Sequence, residues 1–153
     1  MTNLEVVIKI QSLGHVVLKV RDLDVSAKFY RDVLGMKEVA RYKGAMAFFS
    51  LGSNHHDLGL MQLGSRAQDI DPGAIGLYHV AFKVGDSLDE LRACKAHLEA
   101  NGVSISGMSD HGVSQSLYIQ DPDGIEIELY VDADPAIWQD DPGAALTTKL
   151  LQL

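Results

Sequence analysis

The chain has 153 residues, enough for one domain that buries roughly 68 to 70% of its unfolded surface without staples. Its composition, 46% hydrophobic and 22% charged, excludes a disordered chain, and the net charge of -8 argues against nucleic acid or an anionic membrane as partner. A single cysteine excludes an intrachain disulfide and suits a reducing, cytoplasmic setting.

From the start, Met1 to Ile10 mix Glu5 and Lys9 with a few apolar residues and lack the long apolar core of a signal peptide. No stretch approaches a membrane span. The segment His15-Val-Val-Leu-Lys-Val-Arg-Asp22 reads as a strand, and Asp24 can then cap a helix through Ser26, Phe29, Tyr30, Val33 and Leu34 that Gly35 stops. Strands are expected at 36–42, 45–51 and 57–63, with Met46, Phe48 and Phe49 read as core rather than pocket lining. The turn-rich segment 64–76, with Asp71-Pro72-Gly73, is a linker.

The pattern then starts again. His79-Val-Ala-Phe-Lys-Val-Gly-Asp86 matches the first strand at His, Val, Lys, Val and Asp. Ser87-Leu-Asp-Glu90 has the form of a capping box, Leu88, Leu91 and Leu98 mark one helix face, and Asn101-Gly102 ends the helix. Cys94, within this helix, reads as a packed thiol rather than a nucleophile. Strands follow at 103–108, where Met108 is read as core, then at 114–120 and 125–131. The chain is therefore expected to be one α+β domain over 1–153, built of two βαβββ modules at 12–63 and 77–131. A tail at 132–153 follows, in which Ile137, Trp138 and the stretch 144–153 are apolar enough to cover a pocket or join an interface.

Strand parity sorts the side chains by face. Val16, Leu18 and Val20 oppose His15; Val80, Phe82 and Val84 oppose His79; Leu117 and Ile119 oppose Ser116 and Tyr118; Ile125, Ile127 and Leu129 oppose Glu126 and Glu128. A lone strand histidine is usually structural or exposed, but two at the same place in a repeat call for a common explanation. Pseudo-twofold pairing of the modules would set His15 and His79 across one groove, with Glu128 on the last strand and the turn Asp121-Pro-Asp-Gly124 fixing its register. Two imidazoles and a carboxylate with open positions match the 2-His-1-carboxylate site of non-haem Fe(II) oxygenases.

These motifs resemble the glyoxalase, bleomycin-resistance and extradiol-dioxygenase superfamily, also called the vicinal-oxygen-chelate fold. Ser26-Ala-Lys-Phe-Tyr-Arg-Asp-Val-Leu-Gly35 and Asp121-Pro-Asp-Gly-Ile-Glu-Ile-Glu-Leu129 are typical of it. The resemblance implies an open, cup-shaped mixed sheet and, most nearly, a type I extradiol dioxygenase that cleaves a catecholic ring with O2. His15, His79 and Glu128 match the metal ligands of such enzymes. His56, within Asn54-His-His-Asp-Leu58, would be an acid and base; Tyr118 would hydrogen-bond the substrate oxygen; His111, within Asp110-His-Gly-Val-Ser114, would close the site or assist proton transfer.

Fe(II) is the metal implied, with Mn2+ or Zn2+ as alternatives. The expected partners are an aromatic diol, O2 and further copies of the chain in a homo-oligomer. Glyoxalase-type isomerases and epimerases of the same fold take a fourth protein ligand from the last strand of the first module, where this chain has Gly59; Gln62 has the wrong parity. Resistance proteins that only sequester aromatic compounds generally lack the metal triad. Two departures stand out: the linker between His56 and His79 is longer than is typical, and two modules are present where many ring-cleaving enzymes have four. With two modules, a site can form within one chain or between exchanged chains.

Overall fold

Period-two alternation of apolar residues produces the strands expected of each module, and the computed structural model describes residues 8–141, 143 and 147–153. The first seven residues, part of the stretch read as lacking a signal-peptide core, and 144–146 of the tail lie outside the described residues. The first module contains β1 (Val16–Val20), α1 (Leu23–Lys28), β2 (Lys37–Tyr42), β3 (Met46–Ser50) and β4 (Leu58–Gln62). The second contains β5 (His79–Gly85), α2 (Leu88–Ala100), β6 (Gly107–Asp110), β7 (Ser114–Gln120) and β8 (Glu126–Asp132). A short helix, α3 (Ala136–Asp140), and a two-residue strand, β9 (Lys149–Leu150), come from the tail.

The strands form two sheets, in the orders β1-β4-β3-β2 and β5-β8-β7-β6-β9. In each, the first strand of the module runs parallel to the last, and the remaining pairs are antiparallel. The α+β architecture and the repeat are as expected; the sheet of one chain is in two halves. Among the described residues β1 and β5 are end strands of their sheets, so each leaves one row of backbone groups unpaired.

Several boundaries differ from the sequence reading. The first helix is capped by Asp22, not Asp24: Asp22 has the extended backbone of a cap, and its Oδ1 accepts from Asp24 N at 2.9 Å and Val25 N at 3.1 Å. Its continuation through Phe29–Val33 is a wider π-helical turn, closed by Leu34 N donating to the Phe29 carbonyl, before Gly35 reverses the chain at φ 72°. The second helix follows the capping box closely. Ser87 Oγ accepts from Glu90 N, and Glu90 reaches back to accept from Asp86 N at 2.8 Å. Leu91 and Leu98 are buried, but Leu88 is 38% exposed, so the apolar face starts one turn later than the leucine spacing suggests. The strand expected at 103–108 begins only at Gly107. Gly102 (φ 73°) turns the chain, and Val103 N donates to the Leu98 carbonyl, which keeps this segment tied to the helix end.

The buried residues of both modules form a single hydrophobic cluster, with Leu18, Val20 and Tyr30 on one side and Leu91, Leu117 and Ile127 on the other. Polar contacts pin the modules together. Tyr30, fully buried, donates through its hydroxyl to Asp121 Oδ2 at 2.9 Å; Arg21 N donates to Asp123 Oδ2; His97 Nε2 donates to the Val33 carbonyl. An apolar cavity of about 470 Å³ lies between Val33, Leu34 and Met36 of the first module and Phe82, Val84 and Leu129 of the second. The modules thus meet through their apolar, helix-bearing sides. Cys94 borders this cavity half-buried, and burial pushes its thiol pKa up, as suits a packed rather than reactive thiol.

Candidate metal centre

On the helix-free face of the second sheet, parity alone aligns His79, Ser116, Tyr118, Glu126 and Glu128. Tyr118 stands directly across from Glu128 in the antiparallel β7–β8 pair, and His79 is registered with Glu126 across the parallel β5–β8 pair. The side chains are joined. His79 Nε2 is 3.0 Å from Glu128 Oε2, and Ser116 donates through Oγ to Glu128 Oε1 at 2.5 Å. Glu128 is only 9% exposed, so it is not a solvated surface carboxylate; its burial is offset by these two partners.

The other imidazole nitrogen is less well served. Glu126 Oε1 lies 3.3 Å from His79 Nδ1, close enough for charge interaction, but the alignment is not that of a hydrogen bond, and Nδ1 is a buried polar atom without a partner. Beyond Glu128, His111 Nε2 and the Tyr118 hydroxyl form a 2.8 Å hydrogen bond. Burial, then the neighbouring Glu128 charge, push the Tyr118 hydroxyl pKa up to about 12.

His111 sits in the β6–β7 hairpin, where Gly112 N donates to Asp110 Oδ1. Its Nδ1 meets Thr148 Oγ1 at 3.2 Å, and β9 adds to the edge of β6 beside it, with Leu151 buried in the core. The described end of the tail is therefore a fifth strand of the second sheet. Ile137 and Trp138, on α3, are 40% and 49% exposed.

The corresponding face of the first sheet carries a different set. His15, exposed, packs its ring on His56 with centroids 4.4 Å apart, and Phe48 meets His56 at 5.2 Å. Phe48 was expected in the core; strand pairing sets it opposite Gly59 instead, on the open face, while Phe49 takes the buried place. The loop that presents His56 is held by Asn54 Nδ2, which donates to the Gly14 carbonyl at 3.0 Å, just ahead of His15. His55 Nδ1 and His56 Nδ1 share a 2.6 Å hydrogen bond. Partial desolvation first, then the charges of His15 and His55, hold the His56 pKa below its usual value.

Gly59 occupies a telling position. Val17, two residues after His15, pairs with Gly59 in the parallel register, just as Ala81, two residues after His79, pairs with Glu128. Gly59 is thus the repeat equivalent of Glu128. A Cβ there would stand 3.2 Å from Val17 Cγ2 and 3.6 Å from Phe48 Cδ1, so the space beside it is already filled by apolar groups. Gln62 faces away and accepts from Leu23 N at 2.9 Å, helping to cap α1.

His79, Glu128, Tyr118 and His111 are therefore brought together, and His15 and His56 are brought together, on two different sheets. Among the described residues no three His, Cys, Asp or Glu side chains are grouped to hold a metal ion. The pair His79–Glu128 suits two coordination positions of such an ion, but within one chain the third donor does not join them. Ser116 was placed on this face by parity without a role; the serine is found only once β7 and β8 are paired, because its partner lies on another strand.

The profile of the Glyoxalase/Bleomycin resistance protein/Dioxygenase superfamily matches residues 12–129. Over 123 residues the chain is 33% identical to a biphenyl-2,3-diol 1,2-dioxygenase of Rhodococcus globerulus, covering 78% of this chain and 62% of that protein. It is 34% identical over 129 residues to a catechol-2,3-dioxygenase of Bacillus subtilis (strain 168), covering 84% of this chain and 44% of that protein. The chain thus spans less than two thirds of the length of these relatives. The solved structure of a lactoylglutathione lyase from Agrobacterium tumefaciens is similar at a TM-score of 0.63 and 31% identity, covering 80% of this chain and 94% of that one.

Proposed function

Because the chain belongs to the Glyoxalase/Bleomycin resistance protein/Dioxygenase superfamily, we propose that it is an extradiol dioxygenase acting on a catechol, with His15, His79 and Glu128 as the ligands of one divalent metal, Fe(II) before Mn2+ or Zn2+. The observation that carries this reading is the linked array His79–Glu128–Tyr118–His111 on one sheet face. Ring cleavage by O2 breaks the carbon–carbon bond beside the two hydroxyls and puts both oxygen atoms into the product. A metal with three protein ligands supplies that reaction with open positions for a chelating diol and O2. In this reading Tyr118, which pairs with Glu128 across the strands, hydrogen-bonds a substrate oxygen, and its 2.8 Å bond to His111 supports that role by orienting the hydroxyl. His56 is the group assigned to moving the substrate proton.

Gly59 separates this reading from that of the related isomerases. At the repeat equivalent of Glu128 it has no side chain to offer as a fourth ligand, which leaves the positions a catechol needs. The similarity to dioxygenases named for biphenyl-diol and catechol substrates supports an aromatic diol as the substrate class. Anaerobic reconstitution with Fe(II), followed by a panel of catechols and O2, should give one O2 consumed per yellow ring-opened product. No oxygen uptake with any catechol, together with turnover of a glutathione hemithioacetal, would replace this reading by an isomerase; catechol binding without turnover or bound metal would replace it by a sequestering protein.

A further inference from the structure

Under the dioxygenase reading Tyr118 turns its own proton toward a substrate oxygen, and a hydroxyl can do so only when its bond to His111 is one that it accepts. We propose that Thr148, on the tail, sets this direction: its hydroxyl donates to His111 Nδ1, which holds the imidazole proton on Nε2, and Nε2 donates to the Tyr118 hydroxyl oxygen. Thr148 is thus a positioning residue that acts on the substrate only through His111 and Tyr118. The inference rests on reading Tyr118 as the group that meets the substrate oxygen, and adds to it the residue that selects the tautomer.

The tail grips His111 at two points. β9 lies along β6 with Lys149 paired to Asp110 and Leu150 to Ser109, so the tail runs beside the strand that leads into His111. Thr147 Oγ1 donates to the His111 carbonyl at 3.2 Å, and Thr148 Oγ1 stands 3.2 Å from His111 Nδ1. Leu151, buried in the core, anchors the end of the strand. On the other side of the ring, Nε2 is 2.8 Å from the Tyr118 hydroxyl. A neutral imidazole carries a single N–H, so one of these two ring contacts donates and the other accepts. What lies beyond Tyr118 decides between them. Tyr118 stands across the β7–β8 pair from Glu128, a buried carboxylate that can only accept, and Ser116 already turns its proton to that carboxylate. A tyrosine that gave its proton back to His111 would present only lone pairs to the carboxylate and to a substrate oxygen. With the proton turned inward instead, Thr148, His111 and Tyr118 each donate to the next, and the series ends on the face that holds Glu128. Threonine suits the outer end, because its hydroxyl proton rotates freely while its branched side chain has few rotamers.

Nitrogen NMR of the histidine rings tests this, because protonated and unprotonated ring nitrogens resonate far apart. The full chain is labelled with nitrogen-15 at histidine and measured above the imidazole titration range, and the His111 signals are identified by their loss in His111→Gln. In the wild type Nε2 should carry the proton; a ring that carries it on Nδ1 overturns the inference with no variant needed. Thr148→Val keeps the side-chain shape and removes the hydroxyl, so it should move the ring toward the Nδ1-protonated form, and Thr148→Ser should restore the wild-type signals. In the Fe(II)-loaded enzyme with a catechol and O2, Thr148→Val should lower kcat by roughly 10-fold with KM little changed, short of the roughly 100- to 1000-fold cost of deleting a donor to the reacting oxygen. Thr148→Ser should recover that loss as well. Unchanged His111 signals in Thr148→Val, as when water serves Nδ1 equally well, overturn the inference. So does a serine variant as impaired as the valine one, which would make packing rather than the hydroxyl responsible. The NMR contrast needs neither metal nor turnover: if it holds while no catechol drives oxygen uptake, the dioxygenase reading falls and the tautomer assignment stands.

Discussion

The helix-free faces of the two modules share a backbone plan and differ in almost everything placed on it. In the second, a buried carboxylate is held by a serine and a histidine and bordered by a tyrosine that a further histidine grips. In the first, the matching carboxylate position is Gly59, and Val17 and Phe48 fill the space around it. The histidine at the head of the first strand and the lysine four residues on, Lys19 and Lys83, are kept in both. Duplication thus preserved the register that aims a side chain at the site, while the cost of burying a charge was met in one copy only, where partners satisfy it.

Removing the carboxylate should break the contrast most severely. Glu128→Ala deletes a proposed ligand and strands Ser116 and His79, so bound metal and turnover should fall by more than the roughly 10–100-fold that loss of an outer partner costs. Metal analysis after gel filtration and oxygen uptake measure both. Gly59→Glu makes the first face imitate the second. It should keep the metal but abolish catechol cleavage by occupying an open position, and the crowding against Val17 should cost about 1–3 kcal/mol in urea unfolding; undiminished turnover would show that Gly59 does not face the metal.

Ser116→Ala tests whether the second face is built around its carboxylate or merely contains one. Metal affinity, titrated against a competing chelator, should weaken by about 10–100-fold with the fold intact; no change would make the serine bond incidental. The smallest effect belongs to the junction that keeps the faces apart. Tyr30→Phe leaves Asp121 Oδ2 without its donor and should cost about 1–3 kcal/mol. Burial, its leading influence, raises the Asp121 pKa, so the carboxyl stays protonated to higher pH than usual, while the Tyr30 bond opposes that shift. The bond is stronger to the charged acceptor, so the cost of Tyr30→Phe should grow as pH rises through the raised value and shrink in acid. Denaturant melts of both proteins across that range check the slope.

Much of this was legible in residue order because strand and helix periods are local. Alternation put Leu18, Leu117 and Ile127 in the core and Glu128 and Tyr118 on the opposite face, and Ser87 to Glu90 announced the second helix. Misplacements occurred where nonlocal contacts compete. Phe48 looked like core by composition but went to the open face when β3 paired with β4, and Asp22 took the cap from Asp24 because the chain was already extended there. The docking of β9 on β6 depends on a short tail meeting a distant edge, and its two residues have no pattern of their own.

Local periodicity and the internal repeat therefore determined, from the sequence alone, the two βαβββ modules and the face on which each histidine and the carboxylate would lie. Tertiary structure decided how those faces stand to one another. A strand's side-chain direction follows from its own backbone, whereas the distance between His15 and the His79–Glu128 pair follows from which apolar surfaces of two modules pack together, and packing is indifferent to the polar groups left on the other side.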